Sequence, residues 1–136
     1  MSTLLLTARE ALRYKGKEGQ LAWIGHRLAG LGTLLFFVIH VVDTSWVYFW
    51  PEGYGHAIDL YRSWPFQIGE LFLVLAVIYH GLNGLRIALM DWKPALWQYQ
   101  RQMTLVVFGL TALLYAPAFI IMGSHALKNL LGIELF

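Results

Sequence analysis

The amino-acid sequence predicts an all-α membrane protein with three transmembrane helices, because it is very apolar, carries few charges and contains three long apolar segments. Of its 136 residues, 58% are apolar and 13% are charged, and the mean hydropathy is +0.56. A water-soluble domain has about a quarter of its residues charged. Half that share predicts that lipid covers most of the chain.

Three apolar segments are each long enough to cross a bilayer, which takes about 20 residues of helix. They are residues 23–49, 66–90 and 103–122. The prolines and glycines of residues 51–65 predict an interfacial loop with at most one short helix. Asp91, Lys93 and Pro94 are expected to end the second span. Pro117 is expected to kink the third.

The basic residues around the spans are distributed unevenly. The N-terminal segment has Arg9, Arg13, Lys15 and Lys17. The second loop, between the second and third spans, has Lys93 and Arg101, and the first loop, between the first and second spans, has Arg62. Since flanks rich in Lys and Arg stay on the cytoplasmic side, residues 1–22 are expected to form a cytoplasmic N-terminal segment. Residues 23–136 then form the membrane anchor. Its last part, residues 126–136, is expected to be an ordinary terminal anchor or a short interfacial helix.

Several classes of function are excluded by what the sequence lacks. With no cysteine, the chain can form no disulfide, thiolate metal site or iron–sulfur cluster of its own. It also has no nucleotide-binding glycine loop, so it is expected to be non-catalytic alone. The net charge is only +2 and the basic residues are scattered, which argues against a nucleic-acid partner.

Ionisable side chains inside the predicted spans are the candidate functional residues, since charges at membrane depth are costly and usually face the interior of a bundle. They are His26, Arg27, His40, Asp43, Glu70, His80 and Arg86. His26 and His40 share one face of a helix, about 21 Å apart along its axis. Counted from the ends of the predicted spans, His40 lies about 10 Å further out than His80. These two histidines are therefore not expected to ligate the same iron atom.

His80 is the strongest candidate for a metal-ligating residue. In a chain without cysteine, a neutral imidazole is the best haem ligand available. Gly81 and Gly84 would let a flat ring approach the backbone, and Arg86 would meet a propionate group. The alternatives are a packed or hydrogen-bonded histidine, and glycines that serve only close helix packing.

Further candidates lie near the two membrane surfaces. His26 and Arg27, beside Gly30, would offer donors to a quinone carbonyl at the cytoplasmic end, although snorkelling alone explains Arg27. Asp43 and Glu70 are candidates for proton exchange at the outer surface, and Glu70 serves equally well as an interfacial anchor.

Two sequence patterns carry a resemblance to a known family: His26-Arg27-x-x-Gly30 opens the first span, and His80-x-x-x-Gly84-x-Arg86-x-x-x-x-Asp91 closes the second. The chain resembles the cytochrome b membrane-anchor subunit of succinate dehydrogenase, complex II. The resemblance implies that His80 is an axial ligand of haem b, and that a second haem-binding membrane subunit completes a bundle of which this chain forms half. It also implies iron–sulfur and flavoprotein subunits as partners, in the cytoplasmic membrane of a prokaryote.

The later part of the first span is similar to the two-haem branch of this family. Gly30 is followed after nine residues by His40 and then by Asp43. The resemblance implies that His40 ligates a second, outer haem and that the quinone is menaquinone. Trp23 stands where many ubiquinone-type members have a serine, so the quinone is expected near the outer haem rather than at the inner end. Trp23, Asp43 and Asp91 are the residues expected to take part in quinone binding or proton exchange.

The expected function is that of a haem b-binding subunit that conducts electrons from the iron–sulfur subunit to membrane quinone. Two alternatives stay open. One is a haem-free structural anchor of the same complex, whose histidines only shape a quinone pocket. The other is a small membrane transporter, which the absence of a repeated half in the sequence disfavours.

Overall fold

The computed structural model describes residues 17–131, and every regular element in that range is helical. The elements are α1 (Lys17–Phe49), α2 (Pro51–Tyr61), α3 (Trp64–Trp92), a 3₁₀ helix (Pro94–Tyr99) and α4 (Gln100–Leu131). Three helical segments are long and apolar enough to cross a membrane: Glu18–Phe49, Trp64–Trp92 and Pro94–Lys128. Most of the expected cytoplasmic segment, residues 1–16, and the last five residues, 132–136, lie outside the described range.

Prolines set the boundaries between the helices. Pro51 lies at the start of α2 and Pro65 lies in the first turn of α3, positions where a missing backbone N–H costs nothing. At the other end of α3, the backbone N–H of Lys93 bonds to the carbonyl of Leu89. Pro94 then begins the 3₁₀ helix. The long helix α4 runs through Pro117 without a break.

The helix α3 lies between α1 and α4, and α2 packs across α1 and α3 beside the start of α3. Among the described residues, a small buried cluster is formed by Ala29, Tyr79 and Val107, with Ala76, Leu82 and Phe108 against it. The ring of Tyr79 stacks on that of Phe108 at a centroid distance of 5.9 Å. Tyr79 on α3 therefore lies where all three long helices meet.

Most large apolar side chains point outward. Examples on α1 and α4 are Leu28, Leu31, Leu34, Phe37, Phe119, Ile120 and Ile121. In water such a surface would drive aggregation, whereas in lipid or against another apolar chain it is stable. The three spanning helices and their apolar outer surface are what an integral membrane protein requires.

Candidate functional site

The imidazole rings of His26 on α1 and His80 on α3 stack face to face, with centroids 4.2 Å apart and planes 6° from parallel. Nδ1 of His80 lies 3.1 Å from the backbone carbonyl oxygen of His26. Because a carbonyl oxygen can only accept, Nδ1 must carry the proton and donate it. The lone pair of His80 is thereby left on Nε2, as in a histidine prepared to ligate a metal.

Two glycines lie against these rings. A Cβ added at Gly30 would lie 2.8 Å from Cε1 of His80, which is too close for any side chain. A Cβ at Gly84 would lie 3.6 Å from Cε1 of His26, an ordinary contact distance. Gly30 is thus required for the observed position of the His80 ring, whereas Gly84 tolerates a methyl group at this contact.

Four buried polar atoms around the two rings have no hydrogen-bond partner among the described residues. They are Nδ1 of His26, both amide atoms of Asn83 and Nε of Arg86. Asn83 is only 1% exposed, and a terminal nitrogen of Arg86 donates to the hydroxyl of Thr104 on α4. Unsatisfied buried groups are costly and rare. The four residues His26, His80, Asn83 and Arg86, called the histidine cluster below, therefore suit a group with polar substituents.

Arg27 and Trp23 do not join the histidine cluster. The guanidinium of Arg27 lies over the Trp23 ring at 4.7 Å, and both residues are exposed. Asp91 is likewise exposed at the end of α3. These three sequence-predicted residues lie on the outside of the chain, where a lipid headgroup or another subunit can reach them.

The stacking of His26 on His80 places both rings at one level, which corrects the depth estimate made from the sequence. His40 follows His26 by fourteen residues on α1, so it lies about 21 Å from that level rather than 10 Å. The estimate was wrong because it counted from Trp23 as the start of the helix. In the structure α1 begins at Lys17, which brings His26 deeper into the bundle.

A cavity of about 680 Å³ lies between α1, α2 and α3 and is called the α2 cavity below. Most of its wall is apolar and aromatic, including Phe36, Phe66 and Phe72. Its polar lining residues are His40, Asp43, Thr44, Tyr54, Tyr61 and Glu70. An apolar pocket with a few polar groups on one wall is the usual form of a small-molecule site.

Asp43 is the buried polar centre of the α2 cavity, at 6% exposure. The hydroxyl of Tyr61 on α2 donates a hydrogen bond to its Oδ2. Its Oδ1 is buried without a hydrogen-bond partner among residues 17–131 and lies 3.9 Å from Nδ1 of His40. The hydrogen bond to Asp43, helped by burial and by the carboxylate charge, raises the pKa of Tyr61 to about 12. The phenol therefore stays protonated at neutral pH and remains a donor.

A sequence model of the succinate dehydrogenase/fumarate reductase transmembrane subunits matches residues 7–118. The chain belongs to this family. It is also 32% identical over 112 residues to the succinate dehydrogenase 2 membrane subunit SdhC of Mycobacterium tuberculosis, an alignment that covers 82% of both chains. The resemblance to a succinate dehydrogenase membrane subunit, predicted from the two histidine patterns, is thus confirmed.

Three polar residues of this succinate dehydrogenase membrane subunit were missed as site residues by sequence reasoning. Asn83 follows His80 by three positions, which places both on one helix face, so its position was recoverable. Tyr61 and Thr104 reach Asp43 and Arg86 from other helices. No local sequence pattern predicts such contacts between helices.

Proposed function

We propose that this chain is the haem b-binding membrane subunit of a succinate:quinone oxidoreductase and conducts electrons from the iron–sulfur subunit to membrane quinone. The observation that carries the proposal is the state of His80. Its Nδ1 is committed to the carbonyl of His26 at 3.1 Å, so Nε2 keeps the lone pair that an axial ligand needs. The stacked His26 ring covers a face of His80, whereas the lone pair lies in the ring plane.

The residues of the histidine cluster fit haem b. His80 would hold the iron, and Arg86, Asn83 and His26 have buried unpaired polar atoms suited to propionate groups. Gly30 and Gly84 allow the two imidazole rings to lie against the helix backbones. Haem b, when bound, supplies a one-electron carrier in the middle of the membrane.

The proposed partners supply the redox groups and the helix contacts that this chain does not provide. Without cysteine it supplies neither iron–sulfur ligands nor a thiolate, so iron–sulfur and flavoprotein subunits must perform succinate chemistry. Its apolar outer surface supports a second membrane subunit that completes the bundle. One imidazole of the histidine cluster, that of His80, is proposed as an axial ligand, which supports haem binding by that second subunit as well. The positive-inside rule supports a cytoplasmic N-terminus and a position of α2 at the outer surface, and the mycobacterial relative supports the cytoplasmic membrane of a prokaryote.

His40 is proposed as the ligand of a second haem. Its side chain is 54% exposed, so a group outside the chain can reach the ring. Its Nδ1 lies 3.9 Å from the Asp43 carboxylate, which is beyond hydrogen-bond distance. The quinone, proposed to be menaquinone, would then bind in the α2 cavity beside Asp43. The cavity's aromatic walls and buried carboxylate suit a flat ring that exchanges protons.

The deciding experiment measures haem per purified complex, by the pyridine haemochrome spectrum, in wild type and in His80→Ala. We expect the variant to lose one haem b, because it removes the imidazole proposed as the axial ligand. His56→Ala is the matched control, since His56 is exposed on α2 and should keep the wild-type haem content. Unchanged haem in His80→Ala would contradict the proposal. A wild-type complex without any b-type spectrum would favour the haem-free anchor, and ion flux independent of succinate would favour the transporter.

A further inference from the structure

Tyr79, the residue before His80, makes a second hydrogen bond to the same helix. Its hydroxyl donates to the carbonyl of Ala22 on α1 at 2.9 Å, in a buried setting. His80 donates to the carbonyl of His26 on α1. Ala22 and His26 are one helical turn apart. Two adjacent residues of α3 therefore hold two successive turns of α1.

The ring of Tyr79 is fixed on both sides. A Cβ added at Gly25 on α1 would lie 3.0 Å from its Cε1, so α1 touches the ring closely. On the other side the ring stacks on Phe108 of α4. At 9% exposure, Tyr79 has little freedom to move without moving α1.

The hydrogen bond of His80 depends on this register. Its length of 3.1 Å is near the upper end of the about 2.7–3.2 Å range of N–H···O bonds. A shift of α1 by one residue corresponds to about 1.5 Å along the axis. Even a fraction of that shift would lengthen the bond beyond the range, and Nδ1 would no longer be fixed as the protonated nitrogen.

We propose that Tyr79 is a positioning residue for the axial ligand: its bond to Ala22 holds α1 in the register at which His80 donates from Nδ1. The inference rests on the proposed function, in which His80 ligates haem b. An imidazole that donates from Nδ1 is a stronger electron donor through Nε2. Tyr79 therefore tunes the redox potential of the bound haem without touching it.

Tyr79→Phe tests this in the purified complex, because it keeps the ring against Phe108 and removes only the hydroxyl. We expect full haem content, a changed low-spin ferric electron paramagnetic resonance signal and a raised midpoint potential, since a weaker donor stabilises the ferric state less. Tyr115→Phe is the matched control. Tyr115 is a half-buried tyrosine of another spanning helix, with its ring against Phe119, and this variant should behave as wild type.

A second pair of variants keeps the hydroxyl and moves the ring instead. Gly25→Ala places a methyl group 3.0 Å from the Tyr79 ring, whereas Gly32→Ala meets nothing within 4 Å. Both exchange glycine for alanine on the same helix, so their effects on helix propensity are matched. We expect a raised potential in Gly25→Ala alone.

A readout that needs no haem is the ¹⁵N magnetic resonance of histidine-labelled complex, with the His80 signals assigned by their absence in His80→Ala. Wild type should show a hydrogen-bonded, protonated Nδ1, and Tyr79→Phe a protonated Nδ1 with a weakened hydrogen bond. A potential and ¹⁵N signals equal to wild type in Tyr79→Phe would overturn the inference, as would equal haem loss in Tyr79→Phe and Tyr115→Phe. If wild type carries no haem, the proposed function fails, and the ¹⁵N signals still decide whether Tyr79 sets the register.

Discussion

The hydroxyl of Tyr61 on α2 donates a hydrogen bond to the carboxylate of Asp43 on α1. The two residues are 18 positions apart in the chain, and their bond fastens the short helix α2 to the first spanning helix. The same carboxylate lies 3.9 Å from His40 and forms part of the wall of the α2 cavity. One hydrogen bond thus links the packing of α2 to Asp43, which is proposed to serve the quinone, and to His40, which is proposed to ligate the second haem.

Tyr61→Phe should destabilise the complex by about 1.5–3 kcal/mol, the usual value of a hydrogen bond to a charged group. It should lower the thermal unfolding temperature measured in detergent solution. Tyr48→Phe is the control, because Tyr48 is 87% exposed and its hydroxyl makes no contact of this kind within the described residues. Equal unfolding temperatures for Tyr61→Phe and Tyr48→Phe would show that the hydrogen bond contributes nothing.

The stability difference between wild type and Tyr61→Phe should not depend on pH from 6 to about 10. The pKa of Tyr61 is raised from 10.0 to about 12, so the contribution of the phenol is fully present below pH 10. It should be lost as the pH rises through about 12, because the deprotonated phenolate can no longer donate. Unfolding temperatures of both forms across this pH range measure it. A difference that disappears near neutral pH would contradict this assignment.

Asp43→Asn should impair quinone reduction while leaving haem content unchanged. The amide has the size of the carboxylate, and its oxygen still accepts a hydrogen bond from the hydroxyl of Tyr61. It cannot exchange a proton with a quinone in the α2 cavity. Succinate:quinone activity should fall by about 10²-fold or more, as expected for loss of a proton-transfer group. Succinate-dependent reduction of an artificial dye that accepts electrons before they reach this subunit should persist.

Asp59→Asn is the control for that variant. Asp59 is a carboxylate of α2 whose side chain is 74% exposed and paired with Arg62. The Asp59→Asn variant should therefore have wild-type activity. Full quinone activity in Asp43→Asn would move the quinone to the other end of the bundle, near Trp23 and Arg27.

Arg86→Ala and Arg27→Ala should have different consequences, because Arg86 lies in the histidine cluster and Arg27 lies outside it. Arg86 reaches Thr104 and has a buried unpaired Nε in the histidine cluster. Its loss should weaken haem retention by about 10-fold or more, the equivalent of one charged hydrogen bond. Arg27 lies outside over Trp23, so Arg27→Ala should leave haem content unchanged. Haem titration of both purified complexes measures this. Equal haem loss would indicate misfolding.

The sequence was sufficient for the features that depend on composition and local order. Three spanning helices follow from apolar segments, and the side chains of the histidine cluster on α3 follow from helical spacing of His80, Asn83 and Arg86. The contacts between helices were not recoverable in this way. Tyr79 meets Ala22 across 57 positions, and apolar helices in lipid have no polar periodicity that sets their relative height. The error in the depth of His40 has this origin, since a few residues of uncertainty in where a helix begins translate directly into ångströms.

His40→Ala tests the second haem, and the corrected geometry makes its outcome more selective. His40 lies about 21 Å along α1 from the level of the histidine cluster, and within the described residues no contact connects the two. The variant should therefore lose one haem of two, keep the haem at His80 reducible by succinate, and slow quinone reduction because the α2 cavity loses its adjacent electron donor. Haem stoichiometry and succinate-reduced spectra measure these effects.

The control for His40→Ala is His125→Ala. His125 is also exposed on a long helix, and among residues 17–131 its ring bonds to the carbonyl of Ile121 one turn away. That variant should retain both haems. The strongest contradiction would be a wild-type complex with a single haem that His40→Ala does not change. In that case His40 would serve only to pair with Asp43, and electrons would have to reach the quinone from the haem at His80. With no haem at His40, no carrier would lie between the haem at His80 and the α2 cavity about 21 Å away, so the quinone would then belong at the Trp23 end rather than in the α2 cavity.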